Sequence, residues 1–137
     1  MPSAETDHEA VGAVVEGLRQ GFGGPDAGRL KQLWAGDGDL RYVASERSRP
    51  LRTREEIERY YDDAVGPVAA VDAAEITDLT VDVSGELGYA SYRFRYDGRA
   101  SGEDSRFSVD VRSTVILRKT NGRWGIVHYH ESTPGQL

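Results

Sequence analysis

The closing stretch of the sequence constrains the fold more than any other, because it contains the clearest β-hairpin signal in the chain. Asn121-Gly122 separates two runs rich in β-branched and apolar residues, which is the strongest short-range signal for a hairpin. Counting outward from the turn places Leu117 opposite Ile126 on the core-facing side of the sheet. By the same alternation, His128 and His130 are predicted to point inward, where an apolar core ends and a cavity begins.

The other face of this hairpin is predicted to lie on the outside of the protein. Ile116 and Tyr129 fall on that face, and Arg112 is expected to face Glu131 as a cross-strand charge pair. An open sheet face with apolar side chains requires cover. A second copy of the chain is the simplest cover, so the sequence predicts a homodimer that packs through the outer face of the sheet.

The first half of the chain predicts three helices. Apolar side chains recur at helical spacing over 7–20, and Asp26 is a suitable N-cap for a second helix. Thr53 followed by Glu56 forms a capping box at the start of a third helix. The helices therefore precede most of the strands in the sequence.

The remaining segments predict a short strand and then an antiparallel meander. A strand is expected within 39–46, and alternating apolar residues predict strands that include 78–83 and 90–96. Three helices followed by four antiparallel strands, with the short strand between the second and third helices, is an α+β layout. We expect one domain over 1–137, with a disordered lead at 1–5.

Composition excludes several classes of function. The formal net charge of −6 argues against nucleic-acid binding, which requires a basic surface. The chain has no cysteine, so it has no disulfide framework, thiolate nucleophile or cysteine-based metal site. No apolar run approaches the ~20 residues of a membrane helix, and the first residues do not resemble a signal peptide. We therefore expect a cytoplasmic protein without membrane or nucleic-acid partners.

A curved sheet packed over helices encloses a cleft, and such clefts are common ligand sites. Aromatic side chains near the predicted cleft would suit a planar or polycyclic apolar ligand, although such side chains most often belong to a hydrophobic core. The candidate substrate-binding residues are Trp34, Tyr42, Tyr60, Tyr92, Phe94 and Arg93.

Arg93 differs from the other candidates in its position on its strand. Alternation places it on the opposite face from Tyr92, and only a bulge in the strand would turn it inward. The alternative is an Arg93 that faces solvent and pairs with Asp82 or Asp110.

Metal and cofactor sites are not predicted. His128 and His130 are spaced so that both could bind one metal ion, but a third ligand would have to come from Glu46, Asp39 or Glu131. The pattern places none of these three on the same face. The chain also has no glycine-rich phosphate loop, so a nucleotide cofactor is not expected, while a bound flavin or haem stays open.

Three segments resemble the nuclear transport factor 2-like superfamily, and more narrowly its SnoaL-like branch. They are LWAGDG at 33–38, PLRTREEIERYY at 50–61, and the closing pattern W-x-x-V-H-x-H-x-S-x-P at 124–134. The closing pattern is also similar to the end of the calcium/calmodulin-dependent protein kinase II association domain. The resemblance implies a cone-shaped, curved antiparallel sheet wrapped around three N-terminal helices, an internal pocket, and a dimer formed through the outer sheet face.

The resemblance does not extend to the ketosteroid isomerases of this fold, which use an Asp base, a Tyr and a protonated Asp. Val43 stands where the base is expected, and Ile116 stands where the second Asp is expected. The first helix, over 8–22, contains no Tyr. An isomerase with that mechanism is therefore not expected.

The sequence leaves three functional hypotheses open. The first is a cofactor-independent enzyme of cyclase, isomerase, dehydratase or hydrolase type, acting on a polyketide-like or aromatic ligand in a secondary-metabolite pathway, with His128 or His130 as the proton carrier. The second is a non-catalytic binding protein with the same pocket. The third is an oligomeric association module like the kinase hub domain.

Overall fold

A computed structural model describes residues 4–101 and 105–134. Its elements follow the order α1 (Ala4–Gly23), α2 (Ala27–Gln32), β1 (Arg41–Val43), α3 (Arg54–Val65), β2 (Val68–Ser84), β3 (Leu87–Ala100), β4 (Ser105–Thr120) and β5 (Arg123–Ser132). No helix within these described ranges is long and apolar enough to span a membrane.

The helices form where the apolar spacing predicts them. In α1, the side chains of Val11, Val15, Leu18 and Phe22 recur at helical spacing and are all buried. The helix begins at Ala4, so Ala4 and Glu5 are helical rather than part of a disordered lead, and 1–3 lie outside the described residues. The predicted start near residue 7 is therefore too late.

The caps of the two later helices are confirmed. The Asp26 side chain accepts a hydrogen bond from the Arg29 backbone N–H at the start of α2. At the start of α3, the Thr53 side chain accepts from the Glu56 backbone while the Glu56 side chain accepts from the Thr53 backbone. These reciprocal bonds satisfy N–H groups that a helix start leaves unpaired.

The strands form one five-stranded sheet in the order β1-β5-β4-β3-β2. All neighbours are antiparallel except β1, which pairs parallel with β5. The β2–β3 pairing has three register shifts, and irregularities of this kind bend and twist a sheet. The predicted α+β class, with a curved sheet packed against the N-terminal helices, is confirmed.

The Asn-Gly hairpin between β4 and β5 is also confirmed. Asn121 and Gly122 have φ values of 52° and 78°, and positive φ at both central residues is the mark of the tight turn that suits twisted strands. The first pairs are Thr120 with Arg123 and Lys119 with Trp124. The register near the turn is therefore the predicted one.

Farther along β5, a bulge reverses the predicted faces. Leu117 pairs with Ile126, but the next residue of β4, Ile116, pairs with His128, so Val127 is the extra residue. Because successive strand residues point to opposite faces, one extra residue turns every later side chain over. The prediction that His128 and His130 point inward is therefore wrong.

Because of this bulge, the predicted cross-strand pair of Arg112 with Glu131 on the outer face is also wrong. Arg112 is paired with Ser132, and Glu131 is paired with Ser113, which is fully buried. Tyr129 also turns inward and is 0% exposed. The bulge thus moves one carboxyl group and one phenol from the expected outer face to the interior.

Candidate functional site

A cavity of about 300 Å³ opens between the helices and the inner face of the sheet. Each of α1, α3, β2, β3, β4 and β5 contributes to its wall, together with the loop after β1. The lining residues are Phe22, Ser45, Glu46, Tyr60, Ala64, Pro67, Val68, Phe94, Tyr96, Ala100, Phe107, Val109 and Glu131. The volume lies at the lower end of the range for small-molecule sites.

One end of this cavity carries two carboxyl groups. Glu46 follows β1 and is exposed, and the Tyr60 hydroxyl donates to it a hydrogen bond of 2.7 Å. Glu131 lies near the end of β5 and is only 8% exposed. Both side chains line the cavity. The bulge therefore places the Glu131 carboxyl group in the same wall as the exposed Glu46 carboxylate.

The surroundings of Glu131 favour its neutral form. Burial raises the pKa of Glu131 from an ordinary 4.5 to about 7, and the negative charge of Glu46 adds to the rise. The Ser45 backbone and the hydroxyls of Tyr42 and Tyr129 lie near enough to oppose it in part. A carboxyl group with this pKa exchanges protons readily at neutral pH, as a general acid or base must.

Behind the carboxyl end, four tyrosines and a tryptophan form a packed aromatic layer. The rings of Tyr42 and Tyr129 stack with centroids 4.6 Å apart. The hydroxyls of Tyr92 and Tyr129 are hydrogen-bonded at 3.1 Å, and the Trp34 indole N–H donates to the Tyr61 hydroxyl at 2.9 Å. These hydrogen bonds hold the side chains of the layer in place behind Glu131.

The opposite end of the cavity is apolar and aromatic. Phe22 packs against Phe94 and Tyr96, each with ring centroids 5.5 Å apart, and Tyr96 packs against Phe107 at 5.0 Å. Burial raises the pKa of Tyr96 to about 12. Its hydroxyl is buried without a hydrogen-bond partner within the described part of the chain, so the surface that this wall offers a ligand consists of aromatic rings.

The family model for the SnoaL-like domain matches residues 11–136. The chain belongs to the SnoaL-like family. Membership supports a role in ligand binding and is compatible with catalysis. No protein of curated function is significantly similar to this SnoaL-like chain in sequence.

Solved structures share the fold of this SnoaL-like domain. A nuclear transport factor 2-like superfamily protein from Salmonella enterica serovar Typhimurium is 17% identical, with a TM-score of 0.85 over 98% of this chain and 95% of that one. A proposed dehydratase of the nuclear transport factor 2-like family from Streptomyces avermitilis is 21% identical, with a TM-score of 0.83 over 96% and 99%.

The resemblance to the kinase association domain also has a structural counterpart. A proposed calcium/calmodulin-dependent protein kinase II association domain from Xanthomonas campestris is 18% identical, with a TM-score of 0.76 over 93% of this SnoaL-like chain and 87% of that one. At these identities, all three likenesses show a common fold.

The two predicted catalytic histidines lie on the outer face of the SnoaL-like sheet. His130 is exposed, His128 is partly buried, and their ring centroids are 6.4 Å apart. Partial burial, with the positive charges of His130 and Arg41, lowers the pKa of His128. Neither imidazole lines the cavity.

Within the described residues, no three His, Cys, Asp or Glu side chains are grouped so that they could hold a metal ion.

The predicted substrate-binding residues lie in the cavity wall, in the core behind it and, for Arg93, on the outer face of the sheet. Tyr60 and Phe94 line the cavity. The side chains of Trp34, Tyr42 and Tyr92 are buried in the core behind it and are not among its lining residues.

Arg93 takes the alternative position that the sequence left open. Its guanidinium forms two hydrogen bonds with the Asp110 carboxylate, at 2.8 and 2.7 Å, on the outer face. The pairing of β3 with β4 has no register shift, so nothing turns Arg93 inward.

Sequence reasoning missed Glu131 as a residue of the cavity and considered Glu46 only as a metal ligand. One signal for Glu131 was present in the sequence. Trp124 and Ile126 place large apolar side chains on even positions, whereas Val127 and Tyr129 place theirs on odd positions. A change of phase of this kind indicates a bulge.

Proposed function

We propose that this SnoaL-like protein binds a small apolar molecule in the cavity and uses Glu131 as a general acid and base upon it. The carrying observation is a carboxyl group that is 8% exposed, lines the cavity and has a pKa raised to about 7. Perturbed carboxyl groups in clefts are characteristic of functional sites. The role replaces the one predicted for His128 and His130, which required both to point inward.

The chemistry that suits this site is proton transfer next to a carbonyl group. The protonated Glu131 would donate its proton to the carbonyl oxygen of the ligand, and the resulting carboxylate would remove a proton from the α-carbon, which gives the enol and restores the carboxyl group. Isomerisation, cyclisation and dehydration of polyketide-like or aromatic compounds share this step. The aromatic wall formed by Phe22, Phe94 and Phe107 supports a ligand of that kind.

The test is deuterium exchange at the α-carbon of 2-tetralone in D₂O, followed by proton NMR. We expect the wild-type protein to accelerate exchange above the buffer rate, and Glu131→Gln to reduce the acceleration by about 10²-fold or more, as is usual for loss of a general base. Glu86→Gln is the matched control, because Glu86 is exposed in the turn between β2 and β3. Undiminished exchange in Glu131→Gln would contradict the assignment.

The second candidate function is ligand binding without catalysis. It shares the cavity and its apolar wall but not the proton transfer. Saturable chemical-shift changes in the protein on addition of 2-tetralone, with exchange at the buffer rate, would favour this candidate.

The proposal includes a homodimer formed through the outer sheet face. Leu87, Tyr89 and Ile116 are large apolar side chains that are 54%, 48% and 37% exposed there. Tyr89 and Ile116 are direct cross-strand partners, so the side chains form one patch. A patch of this kind is typical of an interaction surface.

A further inference from the structure

The polar groups of the cavity are distributed unevenly, and this distribution bears on which ligands can enter. Its two ionisable carboxyl groups, Glu46 and Glu131, lie at one end, and no Lys, Arg or His is among the described residues of the wall. A ligand carboxylate or phosphate would be buried beside these groups without a cationic partner. Burial of an unpaired charge is strongly unfavourable.

Arg47 is a candidate for a compensating cation, but it is not part of the cavity wall. The Arg47 guanidinium is 5.2 Å from the ring centroid of Tyr60. It lines a separate surface recess with Arg49 and Arg59, and it is not a lining residue of the cavity. Arg47 therefore does not provide a partner for an anion placed beside Glu131.

The titratable groups that surround Glu131 are all neutral phenols or acids. Tyr42 on β1, Tyr60 and Tyr61 on α3, Tyr92 on β3 and Tyr129 on β5 are all raised in pKa, chiefly by burial, so they stay protonated at neutral pH. Glu46 adds a negative charge nearby. This environment favours the protonated Glu131, which is a hydrogen-bond donor.

The remaining polar groups of the wall show which ligand atoms can be paired. The Tyr60 hydroxyl is already committed as a donor to Glu46. The Ser45 hydroxyl also belongs to the wall. A ligand with an oxygen acceptor can therefore be bound by neutral donors, the protonated Glu131 and Ser45, whereas an anion would meet no cationic group among the described residues of the wall.

From this arrangement we propose that the cavity selects uncharged apolar ligands that present a carbonyl oxygen to the protonated Glu131, and that it excludes carboxylated and phosphorylated ones. The inference deepens the proposed function and rests on it, because it names the substrate class of the same site. It goes beyond it by assigning charge selectivity to Glu46 and Glu131 together.

The test compares three probes that share one apolar body: 2-acetylnaphthalene, 2-naphthoate and 2-(aminomethyl)naphthalene. We expect the ketone to bind and the carboxylate to bind at least about tenfold more weakly. Because only the protonated Glu131 donates to the ketone, its affinity is expected to be about tenfold higher at pH 6 than at pH 8. Titration calorimetry on the wild-type protein measures all of these quantities without a variant.

Two variants sharpen the comparison. Glu131→Gln keeps a neutral donor at all pH values, so ketone binding is expected to become independent of pH, while Glu86→Gln retains the wild-type pH dependence. Equal binding of 2-naphthoate, or amine binding that strengthens with rising pH and exceeds that of the ketone, would overturn the charge selectivity and leave the binding cavity intact. Failure of all three probes to bind would instead contradict the proposed function.

Discussion

At the scale of single residues, Glu131 carries an energetic cost that the fold must offset. A carboxyl group on the inner face of a sheet loses its hydration, and Glu46 adds a like charge nearby. The difference between an ordinary pKa of 4.5 and one of about 7 corresponds to about 3 kcal/mol at ~1.4 kcal/mol for each pH unit. A penalty of this size, retained beside a cavity, is a reason to assign the residue a function.

This penalty has a definite sign with respect to pH. Since folding raises the pKa of Glu131, the folded protein retains a proton that the unfolded chain releases between pH 4.5 and about 7. The contribution of this residue to stability is therefore greatest below pH 4.5 and is lost as the pH rises through 7.

We predict that Glu131→Gln removes this loss. Relative to Glu131→Gln, the wild-type protein is expected to lose about 2 kcal/mol of unfolding free energy between pH 5 and pH 8. Urea unfolding at the two pH values measures the difference, with Glu86→Gln as the control that should follow the wild type. If the wild-type protein kept its full stability relative to Glu131→Gln at pH 8, the pKa of Glu131 would be that of an ordinary carboxyl group, and the prediction would be wrong.

At the scale of secondary-structure elements, the helices and the final hairpin were predictable because their signals are local. The spacing of apolar residues in α1 and the capping box of α3 depend on neighbours within a few positions. The Asn121-Gly122 turn likewise fixes its own conformation and the first pairs of the hairpin.

The orientation of residues beyond Val127 could not be predicted by counting from the turn. The bulge depends on how β5 is held on both sides, including its parallel pairing with β1 and the approach of the loop at Ala35. The Ala35 N–H donates to the Ile126 carbonyl at 2.9 Å, and a Cβ on Gly125 would lie 2.7 Å from the Ala35 Cα. These contacts join segments about ninety residues apart, so counting from the turn cannot take them into account.

The consequence of one extra residue was larger for the site than for the fold. The sheet keeps its topology whichever face His128 takes, so the α+β class and the cavity were both predictable. The chemistry of the cavity differs from the prediction, because the bulge turns two imidazoles outward and places the Glu131 carboxyl group in the wall, with the Tyr129 phenol in the core behind it. Tyr60 and Phe94 were found in the wall because they lie on elements without that irregularity.

At the scale of the whole molecule, the two faces of the sheet present different surfaces. The inner face encloses the cavity between the sheet and the helices, whereas the outer face presents the apolar patch of Leu87, Tyr89 and Ile116 together with arginines such as Arg93 and Arg112. Assembly through the outer face would leave the cavity unaffected, so oligomerisation and ligand binding are separable.

We predict that the wild-type protein is a dimer in solution and that Ile116→Glu converts it to a monomer, because a buried carboxylate in the centre of the apolar patch has no partner. Sedimentation velocity measures the change. Ser48→Glu, in the exposed loop between β1 and α3, is the control and should leave the dimer intact. A monomeric wild type at all concentrations would contradict the assembly.

The central claim is that a carboxyl group beside the cavity is poised near neutral pH, and carbon-13 NMR of the Glu131 side chain measures this directly. The Glu131→Gln variant assigns the resonance. We predict that the titration of Glu131 has its midpoint near pH 7, and that this midpoint rises further when 2-acetylnaphthalene is bound. A midpoint near 4.5 that the ketone does not move would contradict the claim, because Glu131 would then be ionised throughout the range in which it is proposed to donate a proton.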